Sequence, residues 1–437
     1  MMFQPMRVFS HKPGSTTPLF ILLLCVYGFH SVRSEAQTGD KGSLTLNNCI
    51  EIAIQNNPGF RSSWFLTEET KAKTEEAFSA YYPKVNIGTN ADTYSRNSGE
   101  QRYNNFSSGV SVSYDIYRGS GTKSNFAASQ ANYQAALLRH ETNKQDLAFD
   151  IIQAYYRTLQ MERTLKSAEE AIRNTAFHLE FALARQKAGL TTRSDVLKSE
   201  VEVANAELNR IQVANALASV KGSLNYLMGF PSDTIIMIAD DLSSEDLLPA
   251  GNYDSLLAQA LMNRTELERF QALLKAQKEY INVAQSGYYP SLSANANYNY
   301  SGPELAAMKN NWWLGMTLSV PVFSGFSNKA RVSQEVSAYH GLGEEFEQLR
   351  QQISLEVWNA WLSVKESAER ITASLKAAES AKENLLLAEG EYREGVGSII
   401  QLTDAQTTFV IAEQNHIEAL ADYKISLAQL ERTIGKN

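Results

Sequence analysis

The sequence predicts an α+β membrane protein, internally duplicated, in which long antiparallel coiled-coil helices carry four β-strands per chain. Three observations predict it. The first is a seam of small or apolar residues at alternating steps of four and three: Ile353, Val357, Ala360, Val364, Ser367, Ile371, Ser374, Ala378, Ala381, Leu385, Ala388 and Tyr392. A 3.5-residue repeat held for about 40 residues keeps one narrow stripe on one face of an under-wound helix, which makes it a coiled-coil packing surface. The second is that the stripe recurs 206 positions upstream, as Leu147, Ile151, Ala154, Thr158, Met161, Leu165, Ala168, Ile172, Thr175, Leu179, Ala182 and Gln186. The third is that ahead of each seam the apolar period drops to two, the signature of a strand. Many seam residues are Ala, Ser or Thr, which let backbones approach closely and suit a wall of many helices better than a Leu-filled pair. No proline follows Pro321, so at about 1.5 Å per residue the second long helix can run on the order of 100 Å.

The balance of 40 basic against 48 acidic residues leaves no nucleic-acid footprint. Beyond the N-terminus no stretch is apolar for the roughly 20 residues a membrane-spanning helix needs, so a membrane crossing would be made by strands. Residues 1–36 read as a secretory signal: Arg7, His11 and Lys12 precede an apolar run from Leu19 to Tyr27, and Ser34 and Ala36 are small residues at a cleavage position. Cys25 falls inside that run, and Leu24 before it is not the small residue that lipoprotein processing wants. Removal of the signal leaves Cys49 alone, which excludes an intramolecular disulfide and a multi-cysteine metal site. A lone cysteine is expected to pack as a small apolar residue. His140, His178, His340 and His416 have no metal-ligand spacing, and neither His-Glu-x-x-His nor Gly-x-Ser-x-Gly occurs. No cofactor, metal or catalysis is expected.

The mature chain divides into a first structural repeat over 37–228, a linker over 229–252 and a second repeat over 253–437. A short amphipathic helix over 44–57 stops at Pro58, and a second helix runs to about Ala80. Asp254 to Asn263 answers the first, followed by a helix to about Gly287. Both second helices end in Tyr-Tyr-Pro, at Tyr81-Tyr82-Pro83 and Tyr288-Tyr289-Pro290, where a proline without an amide hydrogen stops the helix and opens a strand.

Strand hairpins follow at about 84–117 and 290–322. Val110, Val112, Tyr114 and Ile116 alternate with Ser111, Ser113, Asp115 and Tyr117 in the first. In the second, Leu292, Ala294, Ala296, Tyr298 and Tyr300 alternate with polar residues, and a partner strand carries Trp312, Leu314, Met316, Leu318 and Val320. Strands of about ten residues, apolar on one face and with aromatics near their ends, are the pattern of a transmembrane barrel. Four strands cannot close one, and open edges are not tolerated in lipid. The chain therefore contributes staves to an oligomeric barrel.

Glycine-containing turns at 117–121 and 323–326 lead into helical hairpins over about 120–228 and 326–434. The Gly-Ser-Gly-Thr-Lys at 119–123 lacks the Walker spacing and reads as a strand-to-helix turn. The long helices end at Gly189 and Gly395, suited to C-caps. The first return helix carries a seam at Leu197, Val201, Ala204, Leu208, Ile211, Asn215 and Ala218. The second carries one at Leu402, Ala405, Phe409, Ala412, His416, Ala419, Tyr423, Ser426 and Leu430.

The N-terminal run Leu-Thr-Leu-Asn-Asn-Cys-Ile-Glu-Ile-Ala-Ile-Gln-Asn-Asn-Pro, the paired Tyr-Tyr-Pro sites and the turns over 187–197 and 392–406 resemble the TolC-type outer-membrane efflux proteins. The likeness covers essentially the whole mature chain. It implies a homotrimer in outer-membrane lipid, with a 12-stranded β-barrel and a periplasmic α-barrel. It also implies a passive exit duct for efflux or type I secretion that docks with a periplasmic adaptor and an inner-membrane transporter and opens by an iris-like movement of its periplasmic helices. By position, the resemblance places two inward-facing gate sites at Gln401 and Asp404. The family often has aspartate at both, so one acidic ring is missing here. It also implies a polar link in which Asp195 accepts from the Tyr392 hydroxyl, and adaptor contact at the turns around Gly189 and Gly395. The basic residue that often accompanies the tyrosine is replaced by Gly397. A periplasmic coiled-coil adaptor or structural envelope protein is the alternative. It shares the export signal and the helical hairpins, but does not account for two amphipathic strand hairpins at matching positions.

Overall fold

The computed structural model describes residues 43–95, 102–243 and 251–436. The signal segment lies outside them, as do 96–101 of the first hairpin loop and 244–250 of the linker. In chain order the elements are α1 (Leu46–Asn56), α2 (Pro58–Ser79), β1 (Lys84–Ser95), β2 (Arg102–Arg118), α3 (Gly121–Lys187) and α4 (Arg193–Leu227). The second half repeats them as α5 (Tyr253–Asn263), α6 (Thr265–Ser286), β3 (Ser291–Gly302), β4 (Lys309–Ser319), α7 (Ser327–Glu394) and α8 (Ile399–Thr433).

The long helices α3 and α7 span 67 and 68 residues, about 100 Å each. Each lies beside two shorter helices placed end to end: α3 against α2 and α4, α7 against α6 and α8. The junctions use the same device twice. Gly229 and Gly435, both in the left-handed region at φ 78° and 71°, sit against the backbone of Asn56 and Asn263, where a Cβ would come within 2.7 and 2.8 Å of the carbonyl oxygen. Asn57 also donates its side-chain amide to the Leu227 carbonyl at 2.9 Å.

The α7 seam packs as the 3.5-residue period requires. Its buried residues are the stripe from Ile353 to Tyr392, with only Ala378 left half-buried. The α8 seam faces it, with Leu402, Ala405, Ala412, Ala419, Tyr423, Ser426 and Leu430 buried. The α3 stripe is broader than expected. Of the predicted stripe, Leu147, Ile151, Thr158, Ala168, Thr175 and Ala182 are buried and the other positions half-buried, while Tyr155, Tyr156, Leu159, Thr164, Ser167 and Ala171 are buried off it, because α3 has neighbours on more than one side. Hydroxyls in these seams are satisfied by the preceding turn of their own helix: Ser367 donates to the Val364 carbonyl, Ser374 to Ile371, Thr175 to Ala171 and Ser426 to Tyr423. The half-buried His416 adds a contact from Nδ1 to Ser374 Oγ at 3.2 Å.

The α4 seam requires a correction. Leu197, Val201, Leu208 and Ile211 are exposed, at 46–57 %, and the side turned to α3 carries the buried Val196, Ser199 and Leu224. This helix is apolar on two faces, and a 3.5-residue period does not say which face meets a helix of the same chain.

Near the mid-length of the long helices a charged clamp ties both halves together. Arg264, 3 % exposed, donates to Glu266 at 2.9 Å, to Glu356 of α7 at 3.0 Å and to the Thr433 carbonyl at 3.3 Å. Arg432 bonds Asp146 of α3. A buried cation needs this complete a shell, because removing one partner leaves an uncompensated charge. Cys49 is fully buried beside this region, and burial pushes its thiol up to about 11.

The strands form one antiparallel sheet in the order β1-β2-β3-β4, leaving β1 and β4 as edges. Register puts Val85 opposite Val112, Val110 opposite Tyr298, Ala296 opposite Leu314 and Leu292 opposite Leu318. One face is therefore apolar from edge to edge, and the other carries Asn, Ser and Gly. A bulge between Asp115 and Tyr117 sets Tyr117 opposite Leu292, so Tyr117, not Ile116, continues the apolar row. Among the described residues no helix is long and apolar enough to cross a membrane.

Each strand-to-helix turn has two consecutive left-handed residues, Gly119-Ser120 and Gly325-Phe326. At Gly119 a Cβ would meet the Ser286 carbonyl oxygen and Tyr289 Cβ at 2.7 Å, whereas nothing lies within 4 Å of Gly325. Both alanine substitutions carry left-handed strain of about 1–2 kcal/mol, and only Gly119→Ala adds a clash. Gly119→Ala is expected to lower the thermal midpoint of the detergent-solubilised protein more than Gly325→Ala. Equal losses would contradict this packing.

Candidate functional site

The two helical hairpins end in turns of the same construction. Gly189 and Gly395 close α3 and α7 at φ 73° and 82°, and each next helix opens on a reciprocal cap. Thr192 and Asp195 cap α4, and Ser398 and Gln401 cap α8. Two of the residues singled out from sequence are therefore occupied locally. Gln401 accepts from the Ser398 amide at 2.8 Å and its hydroxyl at 3.1 Å. Asp195 accepts from the Thr191 hydroxyl at 2.6 Å and from the Thr192 amide at 3.1 Å. The Thr191 bond, with the Thr192 amide next, holds the Asp195 carboxyl below the usual carboxylate range.

Tyr392 is 5 % exposed, and its hydroxyl has no hydrogen-bond partner. Burial raises the pKa of that hydroxyl, Arg185 opposes the rise, and the charge of Asp195 adds to it. Asp195 and Tyr392 are thus near enough to interact electrostatically, but no hydrogen bond joins them in the chain. Arg185 is the contact that sequence reasoning missed. From the last turn of α3 its guanidinium donates to the Tyr392 carbonyl at 2.6 Å and lies 5.4 Å from the Tyr392 ring centroid and 5.8 Å from that of Phe181. Phe181 meets Tyr392 edge-on at 5.7 Å. A cation therefore does accompany the tyrosine, supplied by α3, and the space over Gly395 is where it fits, 3.1 Å from the position of a Cβ.

Asp404 is exposed on α8. It faces a carboxylate that sequence reasoning also missed, Glu202 of α4, whose pKa is raised by burial first and by Asp404 second. Beside them, Thr175, His178, Ser199, Glu202, Ile399, Thr403 and Gln406 line a polar cavity of about 10 Å³. Both side-chain polar atoms of the buried Gln406 lack partners, and the space suits one bridging water. His178 approaches Glu389 at 3.5 Å. Burial lowers the imidazole pKa more than Glu389 raises it. Among the described residues no cluster of His, Cys, Asp and Glu is arranged to hold a metal ion.

The family model described as outer membrane efflux protein matches the chain twice, over residues 49–229 and 256–436. The chain belongs to the outer membrane efflux protein family. Protein CyaE of Bordetella pertussis is 24 % identical over 391 residues, 86 % of this chain and 80 % of that protein. Outer membrane protein TolC of Vibrio cholerae is 21 % identical over 398 residues, 89 % of this chain and 90 % of that one. A solved structure of CusC superposes with a TM-score of 0.80 at 20 % identity, covering 90 % of this chain and 92 % of that one. This outer membrane efflux protein therefore lies in the outer membrane, with its helices forming a periplasmic extension. The family's two matched copies coincide with the two halves of the fold.

Two expectations concern the tips. Arg185→Ala removes a charge-assisted bond to a carbonyl and two cation–π contacts, so it is expected to destabilise the protein by about 1–3 kcal/mol. Tyr392→Phe removes only an unpartnered hydroxyl and should leave stability within about 0.5 kcal/mol. Chemical denaturation of both variants checks this. A Glu202 pKa raised by folding means that the folded state binds its proton more tightly. The stability it contributes is present at low pH and is lost as pH rises from the ordinary carboxylate value through the raised one. Glu202→Gln is therefore expected to stabilise at pH 7 and to converge with the parent below pH ~4, as read by melting curves across pH.

Proposed function

We propose that three copies of this chain assemble into a passive exit duct of a tripartite efflux or type I secretion system. The observation that carries this is the sheet. It is apolar across one face and polar across the other, and among the described residues neither edge strand, β1 nor β4, has a partner on its outer side. In lipid every backbone donor and acceptor must be satisfied within protein, so β4 of one copy pairs with β1 of the next. The exposed apolar rows agree with this: Leu197, Val201, Leu208 and Ile211 on α4, and Leu355, Trp358 and Leu362 on α7. They are the flanks along which neighbouring copies extend a helical wall. Conduction is passive, and energy comes from an inner-membrane transporter joined through a periplasmic adaptor that docks on the turns around Gly189 and Gly395.

In this reading the tips form the gate. Asp404 of three copies makes an acidic ring, and Glu202 beside it adds a second layer of carboxylates that compensates for the neutral Gln401. Such a ring attracts cations and repels anions. Opening is an iris-like movement of α7 and α8 against α3 and α4, and it separates Arg185 from Tyr392. In the closed tip Asp195 acts on Tyr392 through its charge and not through a hydrogen bond.

Planar-bilayer recording of the purified protein tests this. Small cation-selective unitary steps are expected, with selectivity falling in Asp404→Ala and conductance rising in Arg185→Ala. A protein that gives no conductance, or that purifies without detergent, would point to the coiled-coil adaptor reading.

A further inference from the structure

A cavity of about 490 Å³ lies between α2, α3 and α6, on the sheet side of the mid-length clamp. It exists because α3 presents Ala135 and Ala136 there and α2 has Gly59 at one end, so the three helices meet without side chains to fill the space between them. Arg139 of α3 and Arg269 of α6 line it, and neither makes a hydrogen bond or ion pair among the described residues. The acidic groups nearby are already engaged. Glu69 pairs with Lys73 at 2.6 Å, Glu266 with Arg264 at 2.9 Å and Glu141 with Lys144 at 3.4 Å. In a chain of net charge −8, an exposed Arg139 and a half-buried Arg269 share this open cavity, whose one lining carboxylate, Glu69, is paired with Lys73.

The surroundings fit an anion. Burial, and after it the charge of Arg139, holds the Arg269 guanidinium below its ordinary value, with Glu266 only partly opposing. An anion would relieve both effects. His140 stacks on Phe60 at 4.5 Å, its Nδ1 lies 2.6 Å from Ser63 Oγ, and burial lowers its pKa, so at neutral pH it adds polarity without adding charge. Leu273 and the half-exposed Leu66 give the rim an apolar part.

We propose that this cavity binds a phosphate monoester, its phosphoryl oxygens held by Arg139 and Arg269 and its organic part lying on Leu66 and Leu273. Guanidinium forks match phosphoryl oxygens bidentately, where a lysine offers only a point charge. The volume is that of a small-molecule site, larger than a bare ion requires. The site belongs to the wall and not to the gate, and it stands on one chain whether or not three chains form a duct.

Isothermal titration of the full-length detergent-solubilised protein tests it, with inorganic phosphate, phenyl phosphate and phosphatidic acid in bicelles as probes. Phenyl phosphate is expected to bind saturably, once per chain and more tightly than inorganic phosphate. Arg139→Gln with Arg269→Gln should weaken it at least about tenfold, and the paired lysine variant should restore it only in part. Tighter binding of the bicelles than of phenyl phosphate would identify a lipid headgroup as the source of the same phosphoryl chemistry. Thermal midpoint and bilayer conductance, recorded on the same preparations, show that each variant is folded. Absence of saturable binding of all three probes, as when a neighbouring copy's carboxylate already fills the cavity, overturns the proposal. So does unchanged affinity in the folded double glutamine variant.

Discussion

Lipid offers a backbone amide nothing to bond to, and that constraint organises this chain. A four-stranded sheet with an apolar face leaves two rows of unmatched donors and acceptors, on β1 and β4. Such a sheet is incomplete in a membrane until another copy of the chain supplies the missing ladder. The helices carry the same incompleteness out of the membrane. An element that meets a partner on each flank must be apolar on both flanks. α4 is, with Val196 and Ser199 on one side and Leu197 and Val201 on the other. Alanine, serine and threonine in the seams follow from the same geometry, since a wall one helix thick has no interior to fill with leucine.

Duplication supplies the scaffold twice, and divergence at the tips makes the two hairpins chemically different. The backbone devices are shared: a left-handed glycine after the long helix, then a reciprocal cap at the third position of the next. The side chains that perform the capping are not. Asp195 brings a charge to the first turn, and Gln401 does the same hydrogen bonding without one. The cap at the start of the return helix thus forms with a charged or a neutral side chain.

The α7 seam was legible almost residue for residue, because one side of that helix is buried in a strict heptad, against α5 and α6 at Ile353 and Val357 and against α8 further along. The α3 seam was legible only in outline, since its other neighbours bury Tyr155, Tyr156 and Leu159 off the stripe. In α4 the predicted seam proved to be an exposed face, because periodicity fixes a face and not what covers it. Strand alternation was clear up to the bulge at Asp115–Tyr117, where one extra residue reverses which side chain faces lipid. At the tips, sequence indicated positions but not contacts. Arg185 reaches Tyr392 across 207 residues and bonds a backbone carbonyl, an interaction that leaves no pattern in either segment. Glu202 and Gln406 were invisible for a related reason: what sets them apart is burial against a helix that is distant in sequence.

The seam hydroxyls bear on how easily such a wall can be remodelled. Ser367, Ser374, Thr175 and Ser426 each donate to a carbonyl one turn back on their own helix. Those bonds travel with the helix that carries them, although Ser367 also meets Ser426 across the seam at 2.9 Å and Ser374 meets His416 at 3.2 Å. When one helix slides along another, a seam of leucines must climb out of its holes and a seam of interhelical polar pairs must break. A seam of alanines, and of hydroxyls that keep a bond on their own helix, does less of either, so axial slip along it meets a lower resistance. Rigidity along each rod and reduced friction between rods then coexist in one protein.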